Sequence, residues 1–144
     1  MRLGLALFKR NTDEEAPHLT AGRWGEAVAA KYLAQQGYKL LGTRVRVGLR
    51  DELDIIARQG ETLIFVEVKT RASEQWGRPF DAVDRKKRRI LGRAAFRYMK
   101  RLRKKPPYFR FDVIEVIGNR DDGEPQIRHI PNAFSLPPEY RVPW

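Results

Sequence analysis

The sequence predicts an α/β fold, a mixed central sheet flanked by helices, and three observations carry that prediction. Two apolar, β-branched runs, Leu53–Ala57 and Leu63–Val68, flank Gln59-Gly60-Glu61, the pattern of an antiparallel hairpin. A long helical stretch from Arg85 to Arg103 separates the second run from another strand-like run, Tyr108–Ile117. Strand, helix and strand make a crossover unit, so Leu63–Val68 and Phe111–Val116 are expected side by side and parallel.

The elements follow in order. Residues 1–19 show weak periodicity and a polar patch, Asn11-Thr-Asp-Glu-Glu, and read as a loose tail. Thr20 reads as the N-cap of a first helix and Gly37 as the residue just past its end. On that helix Glu26 shares a face with Ala29, Ala30 and Leu33. Such a face packs closely against something, and an acid on it could reach a site on the sheet. It could equally be a first-turn glutamate favoured by the helix dipole.

Tyr38–Val47 reads as a strand with Gly42 weakening it or marking a bulge, and Gly48-Leu-Arg turns the chain into the hairpin. After Arg71 comes a loop punctuated by Gly77 and Pro79, in which Trp76 and Phe80 read as packing residues or as bases' stacking partners. Asp84 is placed to cap the next helix, whose buried stripe is Ile90, Leu91, Ala94, Ala95, Tyr98, Met99 and Leu102. Pro106-Pro107 stops it. Asp112 and Glu115 interrupt Tyr108–Ile117 on opposite faces, Asp112 as a partner for a basic residue. Asn119–Glu124 is a turn, and Gln126–Ile130 a short edge strand ended by Pro131. Residues 20–136 form the expected single domain, and 137–144 a C-terminal tail.

The 144 residues include no cysteine and two histidines. That excludes disulfides, zinc-cysteine sites, iron–sulfur clusters and a thiol nucleophile, and it fits a reducing, cytoplasmic setting. The apolar run Leu3–Phe8 is too short to span a bilayer and lacks a cleavage pattern, so no membrane association is expected.

The formal net charge is +11, and one segment accounts for it: Arg85–Lys105 holds twelve Lys or Arg and no acid. Arg85, Arg89, Arg93, Arg97, Arg101 and Lys105 are each four apart, a spacing at which each like-charge pair costs a helix roughly 0.2–0.5 kcal/mol. Solvated faces usually mix signs, so a ridge of one sign points to a polyanion. Arg85, Lys86, Lys87, Arg89, Arg93 and Arg97, with Arg71 from the hairpin, are the candidate nucleic-acid contacts, with DNA or RNA as partner.

Charges also interrupt the apolar hairpin, at Asp54, Glu67 and Lys69. A bare carboxylate in a strand core is costly unless it is paired or binds a metal. If Gly60-Glu61 is a type II′ turn, Gln59 faces Thr62 and Asp54 faces Glu67. If the loop is Gln59-Gly60, Asp54 lies one diagonal step from Glu67, still on its face; only an odd shift parts them. The bland reading is a cross-strand ion pair with Lys69. The chemical one is a Mg²⁺ or Mn²⁺ site, since hard cations take one or two carboxylates and leave the remaining positions to water and phosphate. Lys69 would orient a water or neutralise charge on phosphorus.

The same residues carry a resemblance. Asp54 followed by Glu67-Val68-Lys69 resembles the D…(D/E)-x-K signature of the PD-(D/E)XK nuclease superfamily. More specifically, the chain resembles the YraN-like family of that superfamily. The match runs through Gly22-Arg-Trp-Gly-Glu26-Ala, Gly37-Tyr38, Glu52-Leu-Asp54-Ile-Ile, Phe65-Val-Glu67-Val-Lys69-Thr-Arg71, Trp76-Gly77 with Ala82-Val83 and Lys87, Phe111-Asp112-Val113, and Asn132-Ala-Phe134. The resemblance implies a restriction-endonuclease-like α-β-β-β-α-β core with the site where the strands splay. It implies Asp54 and Glu67 as metal ligands, Lys69 as the catalytic lysine, Glu26 as an accessory acid and Lys87 as a phosphate contact. One departure is that Asp51 stands where the family has Gly.

The expectation is therefore a Mg²⁺- or Mn²⁺-dependent endonuclease acting on DNA, for which a homodimer would suit a two-strand cut. The rival is a non-catalytic DNA- or RNA-binding protein on a degenerate nuclease fold.

Overall fold

The structure, a computed structural model, describes residues 17–73, 83–140 and 142. Helix α1 (Pro17–Gln35) leads into β1 (Lys39–Val47), β2 (Asp51–Gln59) and β3 (Thr62–Arg71). Helix α2 (Arg85–Arg101) crosses over to β4 (Tyr108–Ile117), and β5 (Gln126–Phe134) follows. The five strands lie in chain order in one sheet, antiparallel throughout except for the parallel pair β3–β4. This is the expected α/β architecture with a mixed sheet. The polar patch Asn11–Glu15 and the loop aromatics Trp76 and Phe80 lie outside the described residues. No helix among the described residues is long and apolar enough to cross a membrane.

The strand period of two divides the core. Leu63, Phe65, Phe111 and Phe134 pack with Leu91, Ala95 and Met99 of α2 on one face of the sheet. Ile64, Val66, Ile114 and Val116 pack with Ala29 and Leu33 of α1 on the other. Helix α1 approaches β3 so closely that a Cβ built on Gly25 would stand 2.0 Å from Thr70 Oγ1.

Thr20 does not cap α1. The described helix already runs through it from Pro17. Its end is as expected: Gly37 at φ 89° turns the chain, and the Tyr38 N–H donates back to Leu33 O at 3.0 Å. In β1 the register shifts between Leu40 and Gly42, the bulge that Gly42 marked. Asp84 caps α2 by accepting from the Lys87 N–H at 2.8 Å. At the other end Lys105 leaves the expected ridge. Its Nζ donates to Met99 O, Lys100 O and Leu102 O at 3.0, 2.6 and 2.7 Å, satisfying carbonyls the helix leaves open.

Pro131 does not end β5, which continues to Phe134. An edge strand tolerates a proline, and the register shift between Phe111 and Val113 takes up the extra residues. Asp112 fills the gap, accepting from the Asn132 N–H at 2.9 Å and from Arg110 Nε at 2.9 Å, with His129 Nε2 at 2.7 Å. These bonds hold its carboxyl below the ordinary range against the opposing effect of burial, the largest single influence. Past β5 the chain folds back over α2, with Pro137 against Gly92 and Tyr140 on the Phe96 ring at 5.5 Å.

Candidate active site

The β2–β3 ladder runs from Gln59–Thr62 to Ile55–Val66, with Gly60 at φ 58° in the turn. That register sets Asp54 and Glu67 opposite one another one step beyond the last pair, the first of the two registers considered above. There the strands part. The Val68 N–H donates to Asp54 Oδ2 at 2.9 Å, so a side chain takes the donor that a continuing ladder would have used.

Glu67 is almost wholly buried, at 5 % exposed. Its Oε1 lies 3.5 Å from Lys69 Nζ and 3.7 Å from Lys87 Nζ, while Oε2 is buried without a hydrogen-bond partner. Asp54 has its pKa raised to about 7, first by burial and then by the charge of Glu67, against the pull of the Val68 N–H and Lys87. Glu26 reaches the same place from α1. Burial raises its pKa most, Asp54 adds to this, and the hydrogen bond from Arg44 Nε at 2.6 Å opposes it. Arg44 makes that bond from φ 49°, a conformation uncommon outside glycine.

Glu26, Asp54, Glu67, Val68, Thr70 and Asn119 line one cleft of about 440 Å³. A hollow of about 320 Å³ between Arg58, Leu63, Leu102 and Pro107 has a single carboxylate, Glu61, and no acid pair. The paired acids therefore belong to the first cleft.

Among the described residues no three His, Asp or Glu side chains converge as a metal-binding group. Two carboxylates do, and Mg²⁺ needs no more than one or two alongside water and phosphate oxygens. Asp54 with the unpartnered Oε2 of Glu67 fits that requirement.

The basic residues divide in a way their spacing did not reveal. Arg85, Lys86, Arg89 and Arg97 are exposed on α2, with Glu139 3.7 Å from Arg89. Lys87 turns towards Glu67 instead. Arg93 turns back to the sheet and donates to both oxygens of Asp51, from Nε at 2.9 Å and Nη2 at 2.7 Å. That clamp holds the Asp51 carboxyl below its usual range, and it makes Arg93 a tie between α2 and β2. Arg71 Nε lies 3.0 Å from Glu115 Oε2. Sequence reasoning missed Arg44, Glu115 and Arg128 as neighbours of the charged cluster. The signal for Glu115 was available: parallel pairing of β3 with β4 sets it beside Lys69.

The sequence profile of the uncharacterised protein family UPF0102 matches residues 25–116, a span that includes Glu26, Asp54, Glu67, Lys69 and Lys87. The chain belongs to that family. It is similar to UPF0102 proteins of three bacteria. With that of Symbiobacterium thermophilum it shares 44 % identity over 113 residues, 78 % of this chain and 94 % of the relative. With that of Syntrophotalea carbinolica it shares 46 % over 120 residues, 82 % and 94 % of the two chains. With that of Geobacter metallireducens it shares 44 % over 117 residues, 80 % and 92 %. The family profile thus runs from within α1 through α2 to β4 and takes in every side chain of the acid–lysine cluster.

Proposed function

We propose that this UPF0102 chain is a divalent-metal-dependent endonuclease of the PD-(D/E)XK type, YraN-like, that hydrolyses DNA phosphodiester bonds with selectivity for DNA structure. The observation that carries the reading is the meeting of Asp54 and Glu67 in one cleft, with Lys69 and Lys87 within 3.7 Å of Glu67 Oε1.

Asp54 and Glu67 would hold Mg²⁺ or Mn²⁺. Such a cation supplies stabilisation of the charge building on the phosphoryl oxygens and lowers the pKa of a water. The protein's own residues do the rest. Lys69 and Lys87 bring two positive charges to the reacting phosphate, and the partial burial of the cleft strengthens both. Glu26, whose burial favours its protonated form, is placed to hold or give up a proton at the cleft wall. Arg85, Lys86, Arg89 and Arg97 bind the flanking backbone without reading bases. A homodimer would place two such clefts on a duplex, and the cysteine-free chain suits a reducing cytoplasm.

The test is to incubate the protein with branched, single-stranded and duplex DNA in Mg²⁺ or Mn²⁺, beside Asp54→Ala and Glu67→Ala. Cleavage that both variants lose supports the reading. Cleavage that survives in both shows a different site or a contaminant. The second reading is DNA or RNA binding without catalysis, favoured by the exposed cations Arg85, Lys86, Arg89 and Arg97 on α2, which need no metal to meet phosphates. It predicts metal-independent binding that Glu67→Ala leaves unchanged.

A further inference from the structure

Glu115 is a second buried acid near the cleft, 1 % exposed, that the reading above does not use. It lies in a row that crosses three strands: Lys69 on β3 pairs with Glu115 on β4, and Glu115 pairs with Arg128 on β5. Along β3, Glu67, Lys69 and Arg71 point to that same face at steps of two residues, about 6.6 Å each. The row and the column cross at Lys69.

Two guanidiniums grip Glu115. Arg71 Nε is 3.0 Å from Oε2 and Arg128 Nη1 is 3.7 Å from Oε1. Neither is well aligned, and Oε2 has no hydrogen bond despite the short contact. Both arginines stay partly open to solvent, 19 % for Arg71 and 33 % for Arg128. A buried carboxylate held for stability alone is better served by tight, fully satisfied bonds or by an apolar residue. Glu115 is instead shared by two guanidiniums, both of which reach the surface beside Lys69.

We propose that Arg71 and Arg128, splayed from the buried Glu115, form a second phosphate-binding subsite that holds the backbone phosphate next to the one at Glu67 and so fixes where along the strand the cut falls. The inference rests on the endonuclease reading. The ligand class is a nucleic-acid phosphodiester. Glu115 is a positioning residue: it fixes the angle of the two forks, whose planar donors suit phosphate oxygens.

The experiment measures binding of a fluorescein-labelled DNA duplex, with Ca²⁺ in place of Mg²⁺, across a salt series, and maps cut positions in Mg²⁺. For Arg71→Gln with Arg128→Gln the dissociation constant should rise about tenfold. The log–log salt slope should fall by about 0.9, the contribution of one neutralised duplex phosphate. The cut positions should scatter over neighbouring bonds. Glu115→Gln should scatter the cuts with little change in slope, because both cations remain. Arg71→Lys with Arg128→Lys preserves the charge for a fold that does not tolerate glutamine; it should preserve the slope and still scatter the cuts. Arg58→Gln, exposed at the far end of β2, is the control and should change nothing. Wild-type slope and cut positions in both double variants overturn the subsite and leave the endonuclease reading standing. No DNA binding or cleavage by the wild type overturns that reading and the subsite with it.

Discussion

Arg93 holds Asp51 through both carboxylate oxygens, at 2.9 and 2.7 Å, and so ties the exposed basic helix to the first residue of β2. Within a row of basic residues spaced four apart, this arginine is a structural one. Arg93→Ala is expected to lower the thermal midpoint, because it strands a carboxylate that is 2 % exposed. It should leave the salt slope of DNA binding near the wild-type value, whereas Arg97→Ala should reduce it. Since Arg93 depresses the Asp51 pKa, the tie contributes above the unfolded carboxylate range, near pH 4, and is lost as pH falls through the folded value. A melting series between pH 7 and pH 2 checks the sign.

Asp54 behaves in the opposite sense. Its pKa is raised to about 7 in the folded chain, so the folded state binds a proton that the unfolded state has released. This group therefore costs stability as pH rises from about 4 to about 7, and the full cost is present above that. Asp54→Asn in metal-chelated buffer should stabilise the protein by on the order of 2 kcal/mol at pH 8 and by almost nothing at pH 4. Denaturant unfolding at the two pH values measures the difference.

The two lysines beside Glu67 make a kinetic prediction. Lys69→Met should lower cleavage by about a hundredfold, the size seen when one donor to developing charge is removed, and Lys87→Met, farther from Glu67, by less. Both should leave duplex affinity within a few-fold. Single-turnover rates against binding curves separate the effects.

A Cβ at residue 25 would meet Thr70 Oγ1 at 2.0 Å, well inside contact. Gly25→Ala should destabilise the fold by about 1–3 kcal/mol and shift α1, carrying Glu26 away from the cleft. Adding Thr70→Ala removes the obstructing atom and should recover most of the loss. Such non-additivity is expected for residues in contact, and a double-mutant cycle measures it.

The heart of the cleft was legible in the sequence because two simple rules act together. Gly60 narrows the turn to two registers, and in either of them the strand period of two keeps Asp54 on the face of Glu67; the structure takes the first. The crossover rule likewise gave the parallel β3–β4 pair. The ridge was only half legible. A spacing of four puts arginines on one side of a helix but does not say which of them turns back, and that depended on Asp51, forty-two residues earlier. Contacts such as Arg44 with Glu26, or Lys87 with Glu67, join elements that no local pattern connects. The continuation of β5 past Pro131 was hidden because proline signals a strand end unless the strand lies at an edge. Gly92, in the middle of a helix, did mark something: the place where Pro137 rests.

The parallel pairing of β3 with β4 sets an order of assembly. The β1–β2–β3 meander closes through short turns, but β3 meets β4 only after the whole α2 crossover has been traversed, and long-range closure of that kind is slow. The two acids at positions 54 and 67 can therefore draw near one another early, while the lysine from α2 and the arginine from β5 arrive late. A half-made or partly melted chain would hold the two carboxylates with Lys69 beside them but without Lys87. The acid–lysine cluster is thus complete only in the finished molecule, a consequence that the order of the strands brings about by itself.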